Sequence, residues 1–264
     1  MTMENAPQKL LVEALGTFAL CFMGIGAVIL TQGQDILAVA LAHGLAIGLM
    51  VTAVGHISGG HFNPAVTLGM LVARRIEVGA ALAYIAAQLV GAVLGAGALT
   101  LAYLDIDRNS VELGLPLVGS SIAADPAQTL SAGNAVVMEA ILTFFLVLVI
   151  FGTLIATRTG GKAVAGLAIG LTYSMGILAG EAVSGAAMNP ARWFGPAVIQ
   201  QETTDFLVWI IGPLVGGVAA ALLYNAFLLR GHSEQEDKAI IEAVVAPSGE
   251  RPAQVQKRRQ RRRR

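Results

Sequence analysis

Two copies of the triplet Asn-Pro-Ala are the residues of this chain whose type and spacing could do chemistry. They are Asn63, Pro64 and Ala65, and Asn189, Pro190 and Ala191. Asparagine is a strong N-cap residue, and proline suits the first helical position, where its missing N–H costs nothing. Each triplet therefore predicts the start of a helix. If the two starts face each other, they present two positive dipole ends of about half a charge each, which repel cations.

The composition places these triplets in a membrane. Of the 264 residues, 55% are hydrophobic and only 13% are charged, which is more apolar than a water-soluble domain needs and indicates a bilayer environment. The formal net charge is zero, but seven of the seventeen basic residues lie in 257–264, so the rest of the chain is acidic. Cys21 is the single cysteine, so no intrachain disulfide can form, and it lies in an apolar run.

Six apolar stretches are long enough to cross a hydrocarbon core of about 30 Å as helices. They are residues 10–30, 36–55, 79–104, 132–156, 164–182 and 206–229. Two further apolar segments, 63–72 and 189–199, begin at the triplets and are too short to cross. They are typical of re-entrant half-helices. Non-helical backbone at membrane depth is tolerated only inside protein or beside water, so these segments predict a polar path through an all-α integral membrane fold.

The sequence also contains an internal repeat. EALGTF at 13–18 matches EAILTF at 139–144, and the offset of 126 (139 − 13) is shared by the two triplets (189 − 63). GLAIG at 44–48 recurs at 166–170 with an offset of 122 (166 − 44). A shared offset of this kind indicates duplicated halves.

Each half, about 8–104 and about 132–230, holds three spans and one half-helix. Because three is odd, the halves insert with opposite orientation, as an inverted repeat, and the triplets can meet near the centre of the membrane. Glycines four residues apart, which allow close approach of helix backbones, recur in four spans: Gly44 and Gly48, Gly91 and Gly95, Gly166 and Gly170, Gly212 and Gly216.

The distribution of charge predicts the orientation of the chain. Basic residues follow the second and fourth spans and dominate the C-terminal tail: Arg74, Arg75, Arg158, Lys162 and the run at 257–264. The connection 105–131 instead holds four acidic residues and a single basic residue, Arg108. Since basic loops stay on the cytoplasmic side, we expect a multi-pass protein of the cell membrane with both termini in the cytoplasm.

The residues before each triplet must be extended to reach the membrane centre, where their carbonyls can line the path. They are Gly59, Gly60, His61 and Phe62, and Gly185, Ala186, Ala187 and Met188. The amides of Asn63 and Asn189 can donate to a passing water, turning its hydrogens outward on both sides and breaking a proton wire. Glu13 and Glu139 lie inside spans, where we expect them to accept hydrogen bonds from the re-entrant loops; proton relay is the alternative.

The chain resembles the aquaporin or major intrinsic protein family through GHISGGHFNPAVTLG at 55–69 and MNPARWFGP at 188–196. The resemblance covers about residues 8–230. It implies six tilted helices with two half-helices, a homotetramer with one pore per subunit, and a passive channel that is not an enzyme and needs no metal or cofactor.

In this family four positions form an outer constriction, and counting from the triplets assigns them to His43, Ile177, Ala186 and Arg192. Arginine there repels cations and orients polar solutes. Strict water channels usually pair an aromatic on the second span with a histidine on the fifth, whereas this chain has His43 and Ile177. The pattern is similar to that of plant tonoplast-type aquaporins, some of which also pass ammonia, hydrogen peroxide or urea.

The resemblance implies a channel for water that excludes protons and ions and also passes small neutral solutes. The alternative is a facilitator chiefly of ammonia, hydrogen peroxide, urea or glycerol. For glycerol, the segment after Arg192 lacks the aspartate that glycerol-type members carry. A secondary transporter, which also uses inverted repeats, is the rival from another class; it would need a charged or ion-coupling site where this chain has two neutral asparagines.

The tail, residues 231–264, is polar and polybasic, and we expect it to be disordered in the cytoplasm. Its arginine run can attract anionic lipid of the inner leaflet, at about 1 kcal/mol per basic residue near the surface. The expected partners are other copies of the chain, membrane lipid, water and small neutral solutes, and not nucleic acid.

Overall fold

The computed structural model describes residues 5–104, 106, 109–119, 130–156 and 161–229. Eight α-helices lie in these ranges: α1 (Ala6–Thr31), α2 (Ile36–Ser58), α3 (Pro64–Val72), α4 (Val78–Ala102), α5 (Ala132–Ile150), α6 (Gly161–Ser184), α7 (Pro190–Gln200) and α8 (Leu207–Leu223). Two π-helical segments, Phe151–Ile155 and Tyr224–Leu228, continue α5 and α8. A 3₁₀ turn, Glu112–Gly114, lies between α4 and α5. The predicted tail, 231–264, lies outside the described residues.

Six of these helices are long and apolar enough to cross a membrane. The six predicted spans are therefore confirmed, with ends that differ by a few residues. The ends follow local chemistry. Asp35 caps α2 by accepting a hydrogen bond from Ala38 N at 2.9 Å, and Ser131 and Asn134 form a reciprocal capping box at the start of α5.

The two short helices, α3 and α7, begin at the prolines of the triplets, as predicted. Each half-helix packs against a long helix of the other half: α3 against α8, and α7 against α4. The two halves are therefore interlocked, and neither could form the centre of the bundle alone.

Helices α2 and α6 cross at the glycine pairs, which lie backbone to backbone. A Cβ atom on Gly48 would lie 2.6 Å from the carbonyl oxygen of Gly166, and one on Gly170 would lie 2.5 Å from that of Gly44. Neither position has room for a side chain. The crossing brings the buried faces of α2 and α6 together along the centre of the bundle.

Candidate functional site

Each triplet asparagine donates a hydrogen bond to the loop that leads to the other triplet. Nδ2 of Asn63 donates to the carbonyl of Met188 at 2.7 Å, and Nδ2 of Asn189 donates to the carbonyl of Phe62 at 2.8 Å. Each Oδ1 meanwhile caps its own half-helix, accepting from Ala65 N at 2.8 Å or from Ala191 N at 3.0 Å. Since an amide nitrogen carries two hydrogens, each asparagine keeps one donor beyond its bond to the opposite loop.

The loops that lead to the asparagines are not extended throughout. Three positions in each loop have positive φ: Gly59, Gly60 and Phe62 in the first, and Gly185, Ala186 and Met188 in the second. The expectation of an extended approach is wrong at these positions. Left-handed turns are needed because each long helix must end and the chain must reverse toward a half-helix within four residues. For Phe62, Ala186 and Met188 this conformation is strained.

Two buried carboxylates hold these strained loops. Oε1 of Glu13 accepts from Ser58 Oγ at 2.6 Å and from His61 N at 3.0 Å, and Oε2 accepts from Phe62 N at 2.7 Å. Both backbone donors belong to the loop before Asn63. Without the carboxylate, these N–H groups would be buried and unpaired, which costs about 1–3 kcal/mol each.

Glu139 repeats this arrangement in the second half. Oε1 accepts from Ser184 Oγ and from Ala187 N, both at 2.8 Å, and Oε2 accepts from Met188 N at 2.7 Å. Both glutamates are fully buried. The repeat seen in the sequence is therefore also a repeat of hydrogen bonds.

The halves differ in what surrounds these carboxylates. In the first, Gln88 Nε2 donates to Glu13 Oε2 at 2.7 Å and to Thr67 Oγ1 at 3.0 Å, and Thr67 Oγ1 lies 3.1 Å from His61 Nδ1. The imidazole Nε2 of His61 is buried without a hydrogen-bond partner among the described residues. His61 therefore keeps one ring nitrogen available to a small polar molecule.

The second half replaces this polar network with apolar groups. At offsets of 126 and 125, Ala187, Trp193 and Pro213 stand where the first half has His61, Thr67 and Gln88. Trp193 stacks on Trp209 with ring centroids 5.5 Å apart and planes 8° apart. The indole N–H of Trp209 donates to the carbonyl of Ser184 at 2.9 Å. The hydrogen-bonding capacity near the asparagines is therefore concentrated in the first half.

The four residues predicted to form the outer constriction are all buried. Nη2 of Arg192 lies 3.3 Å from Nε2 of His43, and Nη1 donates to the carbonyl of Gly114 at 3.0 Å. Ile177 is on α6, and Ala186 lies in the loop before Asn189. Gly114 belongs to the 3₁₀ turn of the long connection after α4, so that connection reaches the arginine and helps to fix its guanidinium.

Two cavities lie on either side of this group. The larger, of about 330 Å³, is lined by Arg192, Ile177, Glu181 and the turn at Glu112–Gly114 among others. The smaller, of about 10 Å³, is lined by both triplet asparagines, His61 and Tyr173 together with apolar side chains. The bundle thus has an open, partly charged chamber at one end and a narrow chamber between the half-helix starts.

Comparison with known proteins decides the family. The family described as MIP, Major intrinsic protein, matches residues 1–224. The chain belongs to the major intrinsic protein family. Members of this family are membrane channels and not enzymes, so a secondary transporter is no longer the competing interpretation.

Curated relatives within the major intrinsic protein family are similar over most of their length. The chain is 43% identical over 222 residues to aquaporin NIP1-1 of Oryza sativa subsp. japonica, covering 83% of this chain and 73% of the relative. It is 38% identical over 241 residues to aquaporin TIP4-4 of Zea mays, covering 86% of this chain and 89% of the relative. It is 39% identical over 253 residues to human aquaporin-5, covering 94% of this chain and 91% of the relative. These relatives come from differently named groups of the family.

A solved structure of a major intrinsic protein shows the same fold. The aquaglyceroporin of Plasmodium falciparum superposes with a TM-score of 0.74 at 24% identity, over 84% of this chain and 97% of the other. At this identity the likeness concerns architecture alone.

The structure gives a place at or near the site to three further residues, which the sequence does not assign. Gly114 supplies a carbonyl to Arg192, and Tyr173 lines the smaller cavity. Trp193 packs on Trp209. The only sequence signal for Tyr173 is its spacing of four residues from Ile177, which places both on one face of α6.

Proposed function

We propose that this channel conducts water while excluding protons and other ions. The observation that carries the proposal is the pair of reciprocal hydrogen bonds between Asn63 and Met188 and between Asn189 and Phe62. They hold two half-helix N-termini against one small cavity. A permeating water would meet two amide donors and two positive dipole ends, which orient its oxygen toward the asparagines and disfavour hydronium.

The outer group supports a second barrier to cations. Arg192 is buried and permanently charged, and its contacts with His43 and Gly114 hold the guanidinium in one place. We assign His43, Ile177, Ala186 and Arg192 to the filter. The carbonyls of residues 59–62, 185, 187 and 188 are assigned as acceptors along the path, and Glu13 and Glu139 as supports of its loops.

Small neutral solutes are the second candidate permeants. Ile177 and Ala186 present apolar or small groups beside Arg192. We therefore expect ammonia or hydrogen peroxide to pass more readily than through a filter with more polar walls. Relatives named aquaporins support water as one of the permeants.

The assembly and placement of the channel extend the proposal. Arg74, Arg75 and Lys162 flank one end of the bundle, which supports a cytoplasmic location for both termini. We propose residues 1–230 as the channel domain, a homotetramer in the cell membrane, and the tail 231–264 as a cytoplasmic segment that binds anionic lipid.

Stopped-flow light scattering of proteoliposomes tests the proposal. We expect vesicles with the full chain to shrink rapidly under osmotic challenge, with a low activation energy and without proton leakage. Water flux no faster than that of empty vesicles would reject it.

Asn189→Asp links proton exclusion to the triplets. Aspartate still caps α7, but it removes the donor to Phe62 and places a carboxylate between the dipoles. We expect proton leakage to rise by about tenfold or more, the change for a barrier lowered by about 1.4 kcal/mol. An internal pH-sensitive dye measures it. Leakage equal to that of the wild type would show that the amide is not part of the barrier.

A further inference from the structure

Tyr173 lies between the outer filter and the asparagines. It is four residues before Ile177 on α6, so the two side chains project from one face of the helix. Ile177 lines the large outer chamber, whereas Tyr173 lines the small chamber together with Asn63 and Asn189. The tyrosine is buried, with 1% of its surface exposed. The side chain that separates the two chambers on α6 is therefore an aromatic ring with a hydroxyl.

The ring of Tyr173 is fixed by two contacts. Its hydroxyl donates to the carbonyl of Ala187 at 2.5 Å. Its ring lies nearly parallel to the imidazole of His43, with centroids 6.4 Å apart and planes 4° apart. The ring cannot turn away without losing a buried hydrogen bond, which would leave a carbonyl unpaired. Tyr173 is thus a fixed part of the wall.

The other half of the molecule has a smaller group at the equivalent place. At the offset of 122 that relates α2 to α6, Tyr173 corresponds to Val51, and Ile169 corresponds to Ile47. All four side chains line the small chamber. The isoleucines are the same in both halves, so among these four positions on α2 and α6 the exchange of valine for tyrosine is the difference between the two walls. It adds a phenol ring on the side of the chamber that faces the outer filter.

The hydroxyl also changes the acceptors of that half. Ala187 and His61 are repeat equivalents, and the carbonyl of Ala187 accepts the phenol proton. Since the hydroxyl has one proton, its oxygen retains only acceptor capacity. A permeant can donate to this hydroxyl oxygen or to the second lone pair of the Ala187 carbonyl, so the wall remains an acceptor while the ring narrows it.

We propose that Tyr173 is a fifth specificity-determining residue, which extends the outer filter inward to the asparagines and excludes solutes broader than a single file of water. The small chamber of about 10 Å³ holds about one water. Urea and glycerol are larger, whereas water and ammonia fit. This inference rests on the proposed function, because it assigns the size limit of the same pore.

The test compares water, urea and glycerol fluxes in proteoliposomes of the full chain. Tyr173→Val installs the residue of the other half, and Tyr173→Leu removes the ring while keeping more apolar volume, in case the valine variant does not assemble. Tyr173→Phe keeps the ring and removes only the hydroxyl. Leu171→Val is the matched control, because it shortens an exposed side chain on the same helix that lines neither chamber.

We expect the valine or leucine variant to raise urea and glycerol flux by about tenfold or more over the wild type, a barrier lowered by about 1.4 kcal/mol. The phenylalanine and Leu171→Val variants should exclude both solutes as the wild type does. The inference is overturned if both ring-removing variants fold and pass water but exclude urea and glycerol as before. It is equally overturned if Leu171→Val opens the pore as far as they do. Failure of the wild type to pass water would instead reject the proposed function.

Discussion

The guanidinium of Arg192 and the imidazole of His43 are joined at 3.3 Å between Nη2 and Nε2. Nδ1 of the same histidine lies 2.9 Å from the carbonyl of Val39. A carbonyl can only accept and a guanidinium can only donate, so both contacts are satisfied when Nδ1 carries the proton and Nε2 accepts. Neutral His43 therefore serves as an acceptor that positions the arginine, in addition to forming part of the wall.

The double variant His43→Phe with Ile177→His tests the assignment of the filter. It removes the acceptor on α2, adds a larger ring there, and restores a polar group on α6. We expect ammonia and hydrogen peroxide uptake to fall by about tenfold relative to water, equivalent to about 1.4 kcal/mol. Uptake is followed with dyes inside proteoliposomes. Unchanged fluxes of both solutes would contradict the assignment of these two residues.

A glycine on α1 provides the space for His43. A Cβ atom on Gly24 would lie 2.3 Å from Cδ2 of His43, so Gly24→Ala must displace the imidazole. We expect a loss of about 1–3 kcal/mol in stability from overpacking, together with altered water permeability because Arg192 loses its acceptor. The thermal unfolding midpoint in detergent and stopped-flow water flux measure the two effects.

Gly26→Ala is the control for this prediction. Gly26 is buried on the same helix, yet its added Cβ would lie 3.5 Å from the nearest atom, an ordinary contact. Alanine there should be neutral or stabilising by up to about 1 kcal/mol through helix propensity. If both alanine variants behaved alike, the contact between Gly24 and His43 would not be what sets the filter.

The two buried glutamates should be essential to the loops and not to proton movement. Glu13→Gln or Glu139→Gln replaces one acceptor oxygen by a donor and leaves a buried donor unpaired, at a cost of about 1–3 kcal/mol. We expect lower thermal stability and lower water flux, with no change in proton leakage. Glu77→Gln, at an exposed position before α4 without a side-chain cap bond, should leave all three measurements unchanged.

A change in proton leakage without a loss of stability would favour proton relay over loop support. The hydrogen bonds argue against that outcome. Both oxygens of Glu13 and both of Glu139 accept from donors in the loops or from neighbouring side chains.

The main architecture could be predicted because its signals are local. Hydrophobic length identifies a membrane helix without knowledge of its neighbours, and Asn-Pro at a helix start specifies its own cap. The starts of α3 and α7 at Pro64 and Pro190 accordingly agree with the sequence. The repeat offset then relates the two triplets and the two glutamates without any contact being known.

Features that depend on tertiary contacts could not be predicted. Gly114 lies in a connection without a motif, and only the folded chain brings its carbonyl to Arg192. Tyr173 occurs in an apolar run, where a tyrosine reads as a packing residue until its hydroxyl is seen to bond Ala187. The left-handed residues Phe62 and Met188 were missed because propensity disfavours them; carboxylates remote in sequence stabilise them.

The place of Trp193 also depends on tertiary contacts. Its repeat equivalent is Thr67, whose hydroxyl donates to the carbonyl of Asn63, accepts from Gln88 and lies 3.1 Å from Nδ1 of His61. The second half has Pro213 and Ala187 at those places, so a polar side chain at 193 would lack this network. The indole instead stacks on Trp209, which anchors the end of α6 through Ser184. Trp193 is thus a packing residue, and it lines neither of the two cavities.

Trp193→Ala should therefore reduce stability and leave selectivity unchanged. Removing a buried tryptophan costs about 3–5 kcal/mol, and Trp193→Phe should cost less because a ring can still stack on Trp209. Thermal unfolding in detergent measures the cost, and water, urea and glycerol fluxes are normalised to correctly folded protein. If the phenylalanine variant folds as stably as the wild type yet passes a different set of solutes, Trp193 shapes the pore through α7, and its assignment to packing alone is wrong.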